Sequence, residues 1–185
     1  MKKLIFLFFA LLSSLSIWGQ NGTLILDYNG NFTLPDNEKY VKLEFDCSKT
    51  VFEKKYNEED WALLNGKEQW EEAKQEALER IVMMMNEKMT KTRIIFVIDK
   101  MTASGDVNIT SNYTLYIAPT KLNKKGKNNS DFILKCDKTG EVLGTIETYG
   151  SGAHFGSLGN MLGDGYEASG PAVAKFIRKH NKIKR

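Results

Sequence analysis

Apolar and polar residues along the chain fall into recognisable rhythms. "YVKLEFDC" alternates strictly, with Val41, Leu43, Phe45 and Cys47 on one side and Lys42, Glu44 and Asp46 on the other, which predicts a strand with one wet face. The same period of two returns in Val107, Ile109, Tyr113, Leu115 and Ile117, predicting a long half-buried strand that follows a turn at Ser104-Gly105-Asp106 and ends at Pro119. From Lys67 to Met89 the period becomes helical, with Trp70, Ala73, Ala77, Ile81, Met84 and Lys88 recurring beside Leu78, Val82, Met85 and Met89, and with Glu71, Glu72, Gln75, Glu76 and Arg80 largely opposite. Asn57 is placed to cap a short helical turn before it, with Glu58, Glu59 and Asp60 set favourably against the dipole, until Asn65-Gly66 interrupts. "RIIFVID", Arg93 to Asp99, is unbroken apolar sequence and predicts an inner strand covered on both faces.

Turn residues order these elements. Asn29-Gly30 lies between two strand-like runs in "TLILDYNGNFTLP" and predicts an N-terminal hairpin, because both positions of a type I′ turn need positive φ. Lys121 to Ser130 reads as a polar loop, after which Phe132, Leu134 and Cys136 lead through Asp137-Lys138-Thr139-Gly140 into "EVLGTIETY" as a second hairpin. A helix from about Pro171 to His180 closes the chain. The expected architecture is α+β: a two-layer sandwich whose mainly antiparallel sheet of about five strands carries two helices on one face, with the N-terminal hairpin appended.

Residues 1–19 read as a secretory signal, with Lys2 and Lys3 before an unbroken apolar run from Leu4 to Leu12, too short to span a bilayer. Cleavage is expected after Gly19, with Ser16 as the alternative, leaving residues 20–185 as one domain. With no cysteine near the site there is no lipid-attachment residue, so the expected product is periplasmic or secreted, without a transmembrane span. Removing Lys2 and Lys3 leaves 24 basic residues against 23 acidic ones, so the formal charge of +3 nearly vanishes and no longer argues for nucleic acid. What remains is local. Lys175, Arg178, Lys179, Lys182, Lys184 and Arg185 crowd the C-terminus with no acid among them, and they form the candidate contact for an anionic surface. Cations are also favoured at a helix C-terminus by its dipole alone. Cys47 and Cys136 allow one disulfide bridge in an oxidising compartment, or two buried thiols.

The succession of a strand, a helix, a strand pair broken by a glycine turn ("IIFVIDKMTASGDVNITSNYTLYI"), a "CDKTGEVLG" hairpin and a small-residue helix ("YEASGPAVAKFIRK") resembles a class of bacterial envelope accessory domains. The class includes the penicillin-binding-protein activator lipoproteins, the curli secretion component and the N-terminal domain of the TolB translocation protein. The resemblance spans roughly Tyr40 to Lys179 and implies a non-enzymatic binding or assembly role, with another envelope protein or an anionic envelope polymer as partner; it transfers no functional residue.

Gly150 to Pro171 holds seven of the fifteen glycines. Three chemistries compete for it. Gly163-x-Gly165-x-x-Ala168 matches the Ala-ended dinucleotide fingerprint, but the chain ends too soon for the second strand that the fingerprint requires, so no cofactor is expected. Ser151, Ser157, His154 and Asp164 are the types a small secreted hydrolase would use, though "HFGSLG" lacks the nucleophile-elbow pattern. Packing is the third reading. Leu158, Leu162, Gly165, Ser169, Val173 and Phe176 step by three or four and lay small residues against the sheet, in which case Gly163 points away and Gly163→Ala stabilises by about 0.5–1 kcal/mol. Met83, Met84, Met85 and Met89 are soft ligands suited to Cu(I), but three of them continue the helix's apolar stripe and read as core, so no metal is expected.

Export is checked by the intact mass of the protein from its native host. A mature chain beginning at Gln20 is expected, and one still beginning at Met1 rejects the signal.

Overall fold

The computed structural model describes residues 25–98, 110–153 and 155–181. The signal segment, the glycine turn at 104–106, the first residues of the predicted long strand and His154 lie outside them. Among the described residues the strands are β1 (Ile25–Gly30), β2 (Tyr40–Phe45), β3 (Val51–Phe52), β4 (Ile95–Val97), β5 (Tyr113–Leu122), β6 (Asn128–Cys136) and β7 (Val142–Gly150). The helices are α1 (Glu58–Asn65), α2 (Lys67–Lys88), α3 (Leu158–Gly165) and α4 (Ser169–His180). The fold is α+β, as the pattern predicts.

The sheet runs β1-β7-β6-β5-β2-β4 and is mixed. β1, β7, β6 and β5 pair antiparallel, whereas β2 runs parallel to both β4 and β5, and β3 continues along β5 beyond β2. A pattern of alternating residues does not carry strand direction. Here the connection from β2 to β4 passes through α1 and α2, and such a crossover brings the chain back parallel. β4 is last in the strand order, a correction to the expected inner strand, although Phe96 and Val97 are buried.

Alternation in the strands sends Val41, Leu43, Leu115, Ile117, Phe132, Leu134 and Ile146 to one face, where they form a single core with the buried side of α2. That side is Trp70, Ala73, Ala77, Leu78, Ile81, Val82 and Met85, close to the predicted stripe. Asn57 caps α1 by accepting the Asp60 amide at 2.8 Å, and Gly66, with φ +87°, turns the chain into α2.

The N-terminal hairpin does not form. Asn29-Gly30 stays inside β1, whose partner is β7, while Phe32 and Leu34 are buried in the core. Asn181, at the end of α4, holds this segment by donating to Phe32 O at 2.7 Å and accepting from Leu34 N at 2.8 Å. Long-range pairing and burial of a phenylalanine outweigh a local turn preference. Nor does β5 stop at Pro119: it bulges there and continues to Leu122, which shortens the polar loop to residues 123–127.

The glycine-rich stretch packs. From Leu158 on it is helical as α3 and the start of α4, whose main neighbour is α2 rather than the sheet, because Gly159 faces Glu76, Gly163 faces Ala77 and Arg80, and Gly170 faces Ile81 and Met85. Gly163 is therefore buried, against expectation, and Glu76 and Arg80 are drawn from the supposed wet side of α2 into that contact. Gly165, Gly150 and Gly126 meet backbone to backbone at the sheet's end, and a methyl on Gly165 would collide with Gly126 O. Gly165→Ala should lower stability by about 1–3 kcal/mol, the usual cost of overpacking, read as a lower denaturant midpoint; an unchanged midpoint would show that the junction yields.

Candidate functional site

Two of the candidate catalytic side chains in the glycine-rich stretch, Ser157 and Asp164, have structural roles. Ser157 caps α3, its Oγ accepting the Asn160 amide at 3.1 Å and donating to Glu76 Oε2 at 3.3 Å. Asp164, at the other end of the same helix, is ion-paired with Arg80. A helix of eight residues separates the two by roughly 10 Å. Ser151 lies with Asp164 and Glu167 on a polar hollow of about 430 Å³, and His154 lies outside the described residues. Among the described candidates, Ser151 and Asp164 share that hollow, whereas Ser157 lies at the opposite end of α3. Gly163 and Gly165 sit in the last turn of α3, not at a strand-to-helix turn, so the dinucleotide geometry is missing.

Other candidates are dispersed in the same way. Met85 and Met89 are buried in the core while Met83 is exposed, and among the described residues no three His, Cys, Asp or Glu side chains converge as a metal site. Arg178 donates to Lys88 O at 3.0 Å, closing the C-terminal end of α2, which removes it from the expected anionic surface. Lys175 and Lys179 remain exposed, and Lys182, Lys184 and Arg185 lie outside the described residues.

Cys47 and Cys136 are both free. Cys136 pairs with Tyr113 at the start of β5, while Cys47 follows β2 beyond the Phe45–Ile117 pair. They are thus near opposite ends of β5, roughly 20 Å apart at about 3.3 Å per residue, and a bridge needs Cα atoms closer than about 7 Å. An oxidising compartment allows a bridge but says nothing about where two cysteines lie along their strands.

What residue-by-residue reading missed lies at that same far end of β5. A half-open groove of about 480 Å³ runs between two turns and is lined by Val51, Glu53, Lys54, Lys121, Leu122, Asn123, Lys127, Asn128 and Asn129. One wall is the turn after β3. The other is the turn between β5 and β6, where Asn123 Oδ1 accepts the amides of Lys125 and Lys127 at 3.0 Å each. Glu53 joins the walls, its Oε1 accepting the Lys124 amide at 2.7 Å. Lys54, Lys55, Lys121, Lys124, Lys125 and Lys127 are all exposed around this end of the sheet, and Lys127 Nζ lies 5.5 Å from the centre of the Tyr149 ring.

The turn after β3 is strained. Glu53 and Lys54 have φ of +48° and +67°, the signs of a type I′ turn that proteins usually fill with Asn-Gly. Two such residues cost about 1–2 kcal/mol each. Beneath them Phe52, fully buried, stacks on Trp61 at 5.3 Å and meets Trp70 edge-on at 5.4 Å. Burial of such a side chain contributes about 1.5–3 kcal/mol, and each ring pair about 0.5–1.5 kcal/mol more, enough to hold the turn in place. Phe52 is held from both sides, since its amide also donates to Tyr56 O at 2.8 Å.

No family model and no curated protein matches the chain. Among solved structures it is similar to the PelC dodecamer from Paraburkholderia phytofirmans, at 12% identity over 77% of this chain and 96% of that one, with a TM-score of 0.34. A variant of that dodecamer in a second crystal form gives 10% identity, 77% and 93% coverage, and the same TM-score of 0.34. Likeness at that level carries no argument about function.

The two thiols should differ in reactivity. Burial pushes the Cys47 thiol up to about 12, whereas hydrogen bonds from the Thr139 side chain and amide hold that of Cys136 below the usual range. Near pH 8, iodoacetamide should label Cys136 in the folded protein and Cys47 only after unfolding; mass spectrometry finding both labelled, or neither, would contradict this arrangement.

Proposed function

We propose that this chain is an exported, non-enzymatic binding or assembly domain of the bacterial cell envelope. The reading unites the secretory N-terminus with the order of elements that resembles envelope accessory domains. No helix among the described residues is long and apolar enough to cross a membrane, in keeping with a role for residues 20–185 outside the bilayer core.

The observation that carries it is the fate of the reactive side chains. Ser157 is consumed as a helix cap and Asp164 as an ion-pair partner, while the groove at the far end of β5 is walled by lysines and amides without a nucleophile beside a base. General-base chemistry requires a base within hydrogen-bond reach of the group it activates. A binding domain requires only a shaped surface with fixed polar groups.

Two measurements test the proposal together. Fractionation of the native host should find the chain in the periplasmic or culture fraction, and the purified protein should turn over no member of a chromogenic ester, amide and glycoside panel. Retention in the cytoplasm would remove the envelope reading, and turnover that disappears in Ser151→Ala or Asp164→Asn would replace the binding reading with the hydrolase one.

A further inference from the structure

We propose that the groove between the Glu53–Lys54 turn and the turn at 123–127 binds a strand of acidic glycan, its sugar carboxylates or phosphates held by Lys54, Lys121 and Lys127. The proposal rests on the reading of the chain as a binding domain and names the ligand class and the surface.

Charge is the first argument. The lysines come from two stretches far apart in sequence, and the fold gathers them at one end of the sheet, where they repel one another in the free protein. The one carboxylate that lines the groove, Glu53, is already engaged by the Lys124 amide. A polyanion relieves this repulsion, and its attraction is strongest at low ionic strength.

Strain is the second and independent argument. Glu53 and Lys54 occupy left-handed backbone where Asn-Gly would sit without cost, and their side chains line the groove. Glu53 uses its carboxylate to hold the Lys124 amide; at Lys54 a glycine would reverse the chain at less cost, and strain kept there points to use of that side chain.

Shape and chemistry select the class. Val51, Leu122 and the lysine stems give the groove an apolar floor beneath charged rims, matching a sugar ring with C–H faces and polar edges. Lysine ammonium groups are hydrated point charges, and the groove has no arginine fork for chelating a single phosphate in a fixed geometry. They suit a series of anions along a flexible polymer. A membrane surface would need an apolar patch to insert, and the groove itself offers only Val51 as an exposed large apolar side chain.

The test is calorimetric titration of the exported chain with alginate for carboxylate and phosphomannan for phosphate, beside neutral dextran and phosphatidylglycerol vesicles. Binding is expected for at least one acidic glycan, identifying its anion, with affinity falling as salt rises above about 0.1 M and with no binding to dextran. Lys54→Gln, Lys121→Gln and Lys127→Gln should each weaken binding about 2–5-fold, and the triple variant about tenfold or more. Lys54→Gly should weaken it as Lys54→Gln does while keeping or raising the denaturation midpoint, which a purely structural Lys54 would not do. Binding of vesicles but neither glycan overturns the proposal. Glycan binding that survives the triple variant but is lost in Lys175→Gln/Lys179→Gln moves the site to α4 and overturns the groove, leaving the binding-domain reading intact; glycan cleavage overturns both.

Discussion

A buried amide holds the far end of this molecule together. Asn128 Nδ2 donates to Gly126 O at 2.9 Å and to Gly165 O at 3.2 Å, and its Oδ1 accepts from Ser130, whose hydroxyl also meets that of Tyr166 at 2.8 Å. The contact exists only because Gly126, Gly150 and Gly165 carry no side chains, so three backbone segments approach within reach of one amide. Loss of that amide would leave carbonyls facing one another in a buried place, where unsatisfied polar groups are costly. Through this junction the sheet, α3 and the turn at 123–127 are fixed as one body.

The glycine-rich stretch thus works as a cradle for the chain's own lysine turn. Ala153 N donates to Lys125 O at 2.7 Å, and a methyl on Gly152 would collide with Lys125 O and Lys127 N. The opposite wall of the groove is made by the contrary device. There the large rings of Phe52, Trp61 and Trp70 fill space and hold a backbone conformation that its residues would not choose. One wall depends on missing side chains and the other on the bulkiest ones available.

Features that repeat along the chain were legible in the sequence. The α2 stripe, the Asn57 cap and the β6–β7 hairpin follow from period or from a residue whose side chain acts within a few positions of itself, and the glycine run does pack, though against α2 and with Gly163 buried rather than turned away. Strand direction and order were not, because alternation is the same in parallel and antiparallel pairs. Asn29-Gly30 misled for a related reason: its preference is local, and the pairing of β1 with β7 decides where that backbone lies. The groove gave no signal at all. Glu53-Lys54 contains none of the residues that mark a turn, and the lysines at 121–127 read as ordinary loop polarity until β3 is placed beside them.

Lysines on a surface loop commonly have two kinds of freedom, that of their own side chains and that of the loop which carries them. Here the second is gone before any ligand arrives, because Asn123, Asn128, Ala153 and the Glu53 carboxylate have already settled the backbone at 123–127. Ordering entropy on association is then charged to the lysine side chains and to whatever settles between them, and not to the loop. A flexible partner would meet a wall whose backbone hydrogen bonds are already made.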